Sequence, residues 1–416
     1  MSVDETLSPQ LLQQAACLGT VLSSFPQAHQ ASAQLLEQVL GIKRIERLTE
    51  RIGGERVRER DAQTRAFEAL PLVHKLAAPQ GVKPPELAAV FPDGGRLQLC
   101  EHNEDSKSHW HEYKAACLKD MSSQTFAEDP CPEPPPMFLQ RERMERLTRE
   151  IGRKVAETPT AEPSTAEPPT AEPSTATTPA DAAADDASYE PPRVASSDVI
   201  ATRRDCRAFG KMLQARAWSL GHLASPRKAF VGDGSSWIWG IWERHFKSYR
   251  FVPILDVIHA LTYVFAAATA GRPPDEGWNV YRRWITWVWQ GQVTRVIGEL
   301  AARQQELGAP LEADGPTSVR RIVHNALTYL QNHSDKMHYP QYRTQGLPIT
   351  SSHIESTVKL LNHRVKGTEK FWSETGAEAL LQLKADTLSE TGHWEQFWHY
   401  RPHNMTGTRH YSGSNT

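Results

Sequence analysis

Apolar positions along this chain change period several times, and each change marks an element. In residues 32–53 (SAQLLEQVLGIKRIERLTERIG) they recur at helical spacing, with Leu35, Leu36, Val39 and Leu40 before Gly41-Ile42 and Ile45, Leu48 and Ile52 after it. That pattern predicts two helices around a tight turn, either a helix-turn-helix or a plain helical hairpin with a solvated charged face. Residues 87–91 form an apolar run and 96–99 (RLQL) alternate, so both read as strand. Residues 228–232 read as a buried strand, after which Ser235 or Ser236 can cap a helix holding Trp237, Ile238, Ile241 and Trp242. Residues 250–255 read as the neighbouring strand, feeding a helix over 259–265. Further on, Ile354, Val358, Leu361 and Val365 make one apolar helical stripe. Glu355, Lys359, Asn362 and Lys366 lie beside it, and Gly367 stops the helix.

Strands alternating with helices predict an α/β fold. A chain of 416 residues with 39% hydrophobic content is long enough for two or three domains. No apolar run is long enough to cross a bilayer and the start, MSVDETLSPQ, lacks a signal-peptide pattern, so a cytoplasmic protein is expected. The five cysteines are scattered and never spaced CxxC, which supports neither a disulfide framework nor a cysteine zinc module. Residues 157–192 form a degenerate TAEP repeat with eight acids and no Lys or Arg. Against the whole-chain charge of -2, this leaves the remainder at +6, mildly basic and compatible with a polyanionic partner. With few apolar side chains the segment cannot offset its ordering entropy, and disorder is expected there. It separates an N-terminal helical region (1–75) and a segment at 85–156 from a body at 193–403, with a flexible tail from 404. Eleven of the twelve tryptophans follow it, which places the larger core in the body. RIERLTERIG (44–53) is echoed by RMERLTREIG (143–152), two similar amphipathic helices with no fixed repeat period.

Three carboxylates stand at the ends of these elements. Asp93 follows the strand 87–91 and precedes Gly94, so an Asp-Gly hairpin turn is one reading; Pro92 would cost a central strand a backbone donor. Asp233 lies in a strand-to-helix turn, where the carboxyl ends of strands in open α/β sheets gather ligand groups. Asp256 ends the neighbouring strand and shares a helix face with His259, either as a helix cap or as part of a site. Glu355 either closes a capping box with Ser352 or, if Thr350 or Ser351 is the cap, reaches outward. Carboxylates on adjacent strands and a facing helix can hold two Mg²⁺ ions about 3.5–4 Å apart for phosphodiester chemistry.

GLPITSSHIESTVKLLNHRVKGTEKFW (346–372), with VGDGSSWIW (231–239) and ILDVIHALTYV (254–264), resembles the DDE transposases of bacterial insertion sequences related to the Mutator type. The resemblance covers most of 85–125 and 193–403. It implies an RNase H-like mixed sheet flanked by helices, with an all-helical insertion over about 262–345. The first Asp would lie on the opening strand, the second at the end of the fourth strand and the Glu on a later helix, which map to Asp93, Asp233 and Glu355 as metal ligands. The family's D/C-x-x-H element maps to Asp256 and His259 in a supporting role.

The implied cofactor is two Mg²⁺ ions, with Mn²⁺ able to replace them. The implied partners are double-stranded DNA, as element ends and target, and at least a second copy of the chain to bring two ends together; nucleoid association follows. Lys43, Arg44, Arg47 and Arg51, with Lys359, Arg364 and Lys366, are the expected DNA contacts, although solvated helix faces account for the same residues. The histidines show no HExxH spacing. Two other readings stand beside the transposase: a decayed one that only binds DNA, and an RNase H-like nuclease without strand transfer.

Overall fold

The structure is a computed structural model and describes residues 7–36, 39–101, 108–156 and 190–404. It opens with α1 (Pro9–Val21), α2 (Phe25–Leu35) and α3 (Ile42–Ala69). Ser8 and Ser24 cap the first two by accepting from amides three residues on, and each helix has a proline in its first turn, where a missing N–H costs nothing. Leu35 and Val39 are 73% and 63% exposed, contrary to the predicted apolar stripe, because α2 stops at Leu35 and only Leu40 then turns inward. α3 runs for 28 residues, well past the predicted end at Gly53. Its buried face continues through Arg56, Arg60, Thr64 and Phe67, so an apparent charge run is a packed face. A short α4 (Leu72–Leu76) leads to the sheet.

Among the described residues the sheet has six strands: β1 (Leu87–Leu99), β2 (Trp110–Ser122), β3 (Arg193–Thr202), β4 (Arg227–Gly232), β5 (Val252–Leu255) and β6 (Phe371–Trp372). The order is β3-β2-β1-β4-β5, with β6 beside β1. β1, β2 and β3 are antiparallel, whereas β4 and β5 run parallel to β1. α5 (Arg141–Ala156) precedes β3, α6 (Cys206–Ser219) joins β3 to β4, and α7 (Ser236–Ile241) with a π-helical turn joins β4 to β5. Then come α8 (Val257–Thr269), α9 (Pro274–Trp289), α10 (Val293–Leu307), α11 (Val319–His333) and α12 (Tyr339–Thr344), the all-helical stretch expected from the sequence. α13 (Ser352–Val365), β6, α14 (Glu374–Leu388) and α15 (His393–Asn404) complete the order. The acidic segment lies outside the described residues except for its last three, as does the tail from 405. It enters between α5 and the edge strand β3. Among the described residues no helix is long and apolar enough to cross a membrane.

The architecture is therefore α/β, a mixed open sheet flanked by helices. Side chains alternate across it. Ala89 and Phe91 of β1, with Ala229 and Val231 of β4, join a core shared with α1–α3, α8–α11, α13 and α14. Val90 and Phe230 point the other way, to Phe209, Leu213, Ile238 and Phe246. The N-terminal helices thus belong to the same core as the sheet. α3 is fastened to α14 by Arg56, whose Nε and Nη2 reach the Asp386 carboxylate at 2.8 and 3.1 Å, and by Arg60, 2.9 Å from Glu378.

Candidate active site

The parallel ladders set the geometry. β1 and β4 pair with Val90 opposite Phe230, and β4 and β5 pair with Gly232 opposite Leu255. Asp233 and Asp256 follow directly on the ends of β4 and β5, where the Asp256 amide still donates to the Gly232 carbonyl at 2.8 Å, and Asp93 lies in β1 three residues beyond its last pair with β4. Asp93 shares the parity of Ala89 and Phe91, and Asp233 that of Ala229 and Val231, so both head for the sheet face that packs α8 and α13.

The Asp-Gly pair is not a hairpin turn. β1 passes straight through it, with Asp93 opposite Ala115 and Gly94 opposite Lys114. The Leu99 amide donates to His109 across β2 and the next amide, Cys100, donates to Trp372 on the other side, so odd-numbered β1 amides face β2 and even-numbered ones face away from it. Pro92 therefore lacks its N–H on the β4 side, beyond the end of the β4 pairing at Val90 and before β6 pairs at Gln98. The proline removes a donor where the ladder has no use for it. β1 and β4 have thus parted before the chain reaches Asp93 and Asp233.

Gly95 has a related role. A Cβ there would lie 2.3 Å from the Tyr113 ring, which crosses β1 at this point to donate its hydroxyl to Asn362 of α13 at 2.8 Å. On its other flank α13 meets β2, with Thr357 Oγ1 3.1 Å from Cys117 Sγ. His353 packs edge-on against Phe91, and burial pushes its pKa down to about 4. α13 consequently runs along β1, with Glu355 on the same side of the helix as Asn362.

The cap of α13 is Ser351, which places Glu355 one position too far into the helix for a capping box with it. Ser351 gives its hydroxyl to Asp256 instead, and its amide donates to the same carboxylate oxygen at 3.1 Å. Asp256 also accepts from the Ile258 amide at 2.7 Å and faces His259 Nδ1 at 3.2 Å. One buried carboxylate thus joins the end of β5, the start of α8 and the start of α13. Burial disfavours the charged His259, but its bond to Asp256 and the charges of Asp256, Asp233 and Asp93 outweigh that and push its pKa up to about 9. Three of the carboxylates thus act on the same half-buried imidazole.

Asp233 itself is held by the Ser235 amide, which donates to Oδ1 at 2.8 Å. Asp93 Oδ1 accepts from the Gly94 amide at 2.7 Å. Glu355 has Lys359 3.5 Å away. Among the described residues no three His, Cys, Asp or Glu side chains are gathered closely enough to hold a metal ion.

The expected DNA contacts divide. Lys359 and Lys366 are exposed, the latter 5.6 Å from the Trp110 ring centroid. Arg364 is a correction: it is 1% exposed, donates from Nε and Nη2 to the Gly19 carbonyl at 3.0 and 2.8 Å, and lies over the rings of Phe25 and Trp372. It fastens α13 to α1 and α2 and is enclosed away from any DNA. On α3, Lys43 pairs with Glu46 at 2.8 Å, Arg51 lies 4.0 Å from Glu55, Arg44 is half-buried and Arg47 is exposed.

Sequence reasoning missed Tyr113 and Tyr329. Tyr329, on α11, donates its hydroxyl to the Asp233 carbonyl at 2.7 Å. Neither stands near one of the candidate-site carboxylates in sequence, so no local pattern pointed to them. No protein-family model matches the chain, and neither does any curated protein.

Proposed function

We propose that the chain is a DDE-type DNA transposase built on an RNase H-like sheet. The observation that carries this reading is the placement of Asp93 in β1 and of Asp233 at the carboxyl end of the adjacent parallel strand β4, both by parity on the sheet face that packs α13, the helix carrying Glu355. The strand order supports it, since the first Asp falls on the opening strand, the second at the end of the fourth and the Glu on a later helix beyond an all-helical stretch.

Carboxylate oxygens are the hard donors that Mg²⁺ prefers, and Asp93, Asp233 and Glu355 would hold two such ions, or Mn²⁺ in their place. Mg²⁺ bound there supplies the charge that activates an attacking oxygen and neutralises the leaving one. The chain's own residues do the rest. Asp256 and Ser351 pin the start of α13 and so fix where Glu355 begins its reach. His259, holding its proton against Asp256, offsets the repulsion between Asp93 and Asp233. Lys359 and Lys366, exposed along α13, suit phosphate contacts on the DNA leading away from the site. The substrates on this reading are element ends and target DNA, brought together by two or more copies of the chain.

Purified protein with Mg²⁺ and element-end DNA is the test. Cleavage followed by joining is expected, and Glu355→Gln should abolish both while leaving DNA binding intact. Cleavage without joining would mark a nuclease, and binding alone a decayed transposase. Undiminished activity in Glu355→Gln would overturn the site assignment.

A further inference from the structure

Three phenols from the helical stretch between β5 and α13 grip main-chain carbonyls at the carboxyl ends of β4 and β5. Tyr339 donates to Leu255 at 3.1 Å, Tyr342 to Pro253 at 3.2 Å and Tyr329 to Asp233 at 2.7 Å. Only the last is at an aspartate of the candidate site. Its ring also fills the space that Gly234 leaves open: a Cβ there would sit 2.6 Å from the Tyr329 ring, and the glycine has φ +104°, a conformation other residues rarely adopt. Tyr329 is itself held rigid, stacked on Tyr263 of α8 with centroids 3.9 Å apart and planes 11° from parallel, and edge-on to His333 at 5.0 Å.

We propose that Tyr329 is a positioning residue for Asp233, through which the helical insertion sets the direction of that carboxylate. The inference rests on the metal-site reading above. Two fixed points define the Asp233 turn, the Ser235 amide on the side-chain oxygen and the Tyr329 hydroxyl on the main-chain oxygen one peptide away. Removing the second leaves the peptide between Asp233 and Gly234 free to rotate, since glycine offers little resistance to a change of ψ or φ. The carboxylate then spends less time aimed at the gap beside Asp93. The insertion is thus a mechanical part of the site, besides whatever it contacts on DNA.

The test is Mn²⁺ uptake by the full-length protein, read from the free-ion paramagnetic resonance signal, in the unaltered chain, Tyr329→Phe and Tyr342→Phe. Both variants lose one phenol-to-carbonyl hydrogen bond, so a purely structural role lowers their melting temperatures alike. The positioning role predicts that Tyr329→Phe alone weakens Mn²⁺ binding, by about 3- to 10-fold, the effect of one hydrogen bond. Equal binding by all three proteins, or equal weakening in both variants, overturns the inference while leaving the metal site standing. No uptake by the unaltered chain overturns the metal-site reading and the inference with it.

Discussion

Replacing Arg364 by alanine separates a buried structural cation from a DNA contact. The guanidinium donates twice to one carbonyl, that of Gly19, and lies 4.5 and 5.1 Å from the ring centroids of Phe25 and Trp372. A hydrogen bond from a charged group contributes about 2 kcal/mol net, and removing it leaves the buried Gly19 carbonyl unsatisfied at a further cost of about 1–2 kcal/mol. The two ring contacts add about 1 kcal/mol. Against this stands the cost of burying the cation, which pushes its pKa down to about 10 even with Glu46 opposing the shift. The balance predicts that Arg364→Ala unfolds in urea with about 2–4 kcal/mol less stability. Arg364→Lys should fall between the two, because an ammonium cannot make the paired donation. The complementary measurement is the salt dependence of DNA binding by folded protein. Lys359→Ala should lower the slope of log K against log salt by about 0.9, the value for one lost phosphate contact, and Arg364→Ala should leave it unchanged. A variant at Arg364 that unfolds with the unaltered protein but loses salt slope would refute the reasoning and return this residue to the surface.

Two other substitutions probe buried carboxylates, one at the site and one on the edge strand β3. Asp256→Asn removes the carboxylate that receives Ser351, Ile258 and His259 in a position 2% exposed, and breaking such a buried charged pair should cost about 3–5 kcal/mol in urea unfolding; stability equal to the unaltered chain would sink its role as the junction of β5, α8 and α13. Asp198 is buried, which works against its charge, but the guanidinium of Arg216, bonded to both its oxygens, holds its pKa below the usual carboxylate value. A depressed pKa stabilises the fold above the unfolded value, near 4, and the contribution disappears as pH falls through the lower folded value. Asp198→Asn should therefore be less stable than the unaltered chain at pH 7, with the gap closing only below about pH 4; a gap that closes between pH 7 and 5 would contradict the pairing.

What the sequence made legible here is what depends on near neighbours. β4, β5 and α13 follow from apolar runs and a stripe of four residues, and Asp233 and Asp256 are recognisable because each ends a strand and opens a helix. The failures have one physical source. Arg56, Arg60 and Arg364 look like solvated charges until Asp386, Glu378 and the Gly19 carbonyl arrive from more than three hundred residues away. β2 and β3 escape because Lys114, Lys119 and Asp198 interrupt their apolar pattern, although all three are buried.

Asp93 shows the limit most sharply. Pro-Asp-Gly-Gly is locally a turn, and every turn rule applies to it. It lies in mid-strand because of two distant circumstances. Tyr113 needs the space over Gly95 to reach Asn362, and β4 stops pairing before Pro92, so neither the glycine nor the missing donor is penalised. The features that argued against a strand fall where β1 has already parted from β4, past the last pair at Val90 and Phe230, so the β1–β2 ladder alone carries the chain through them.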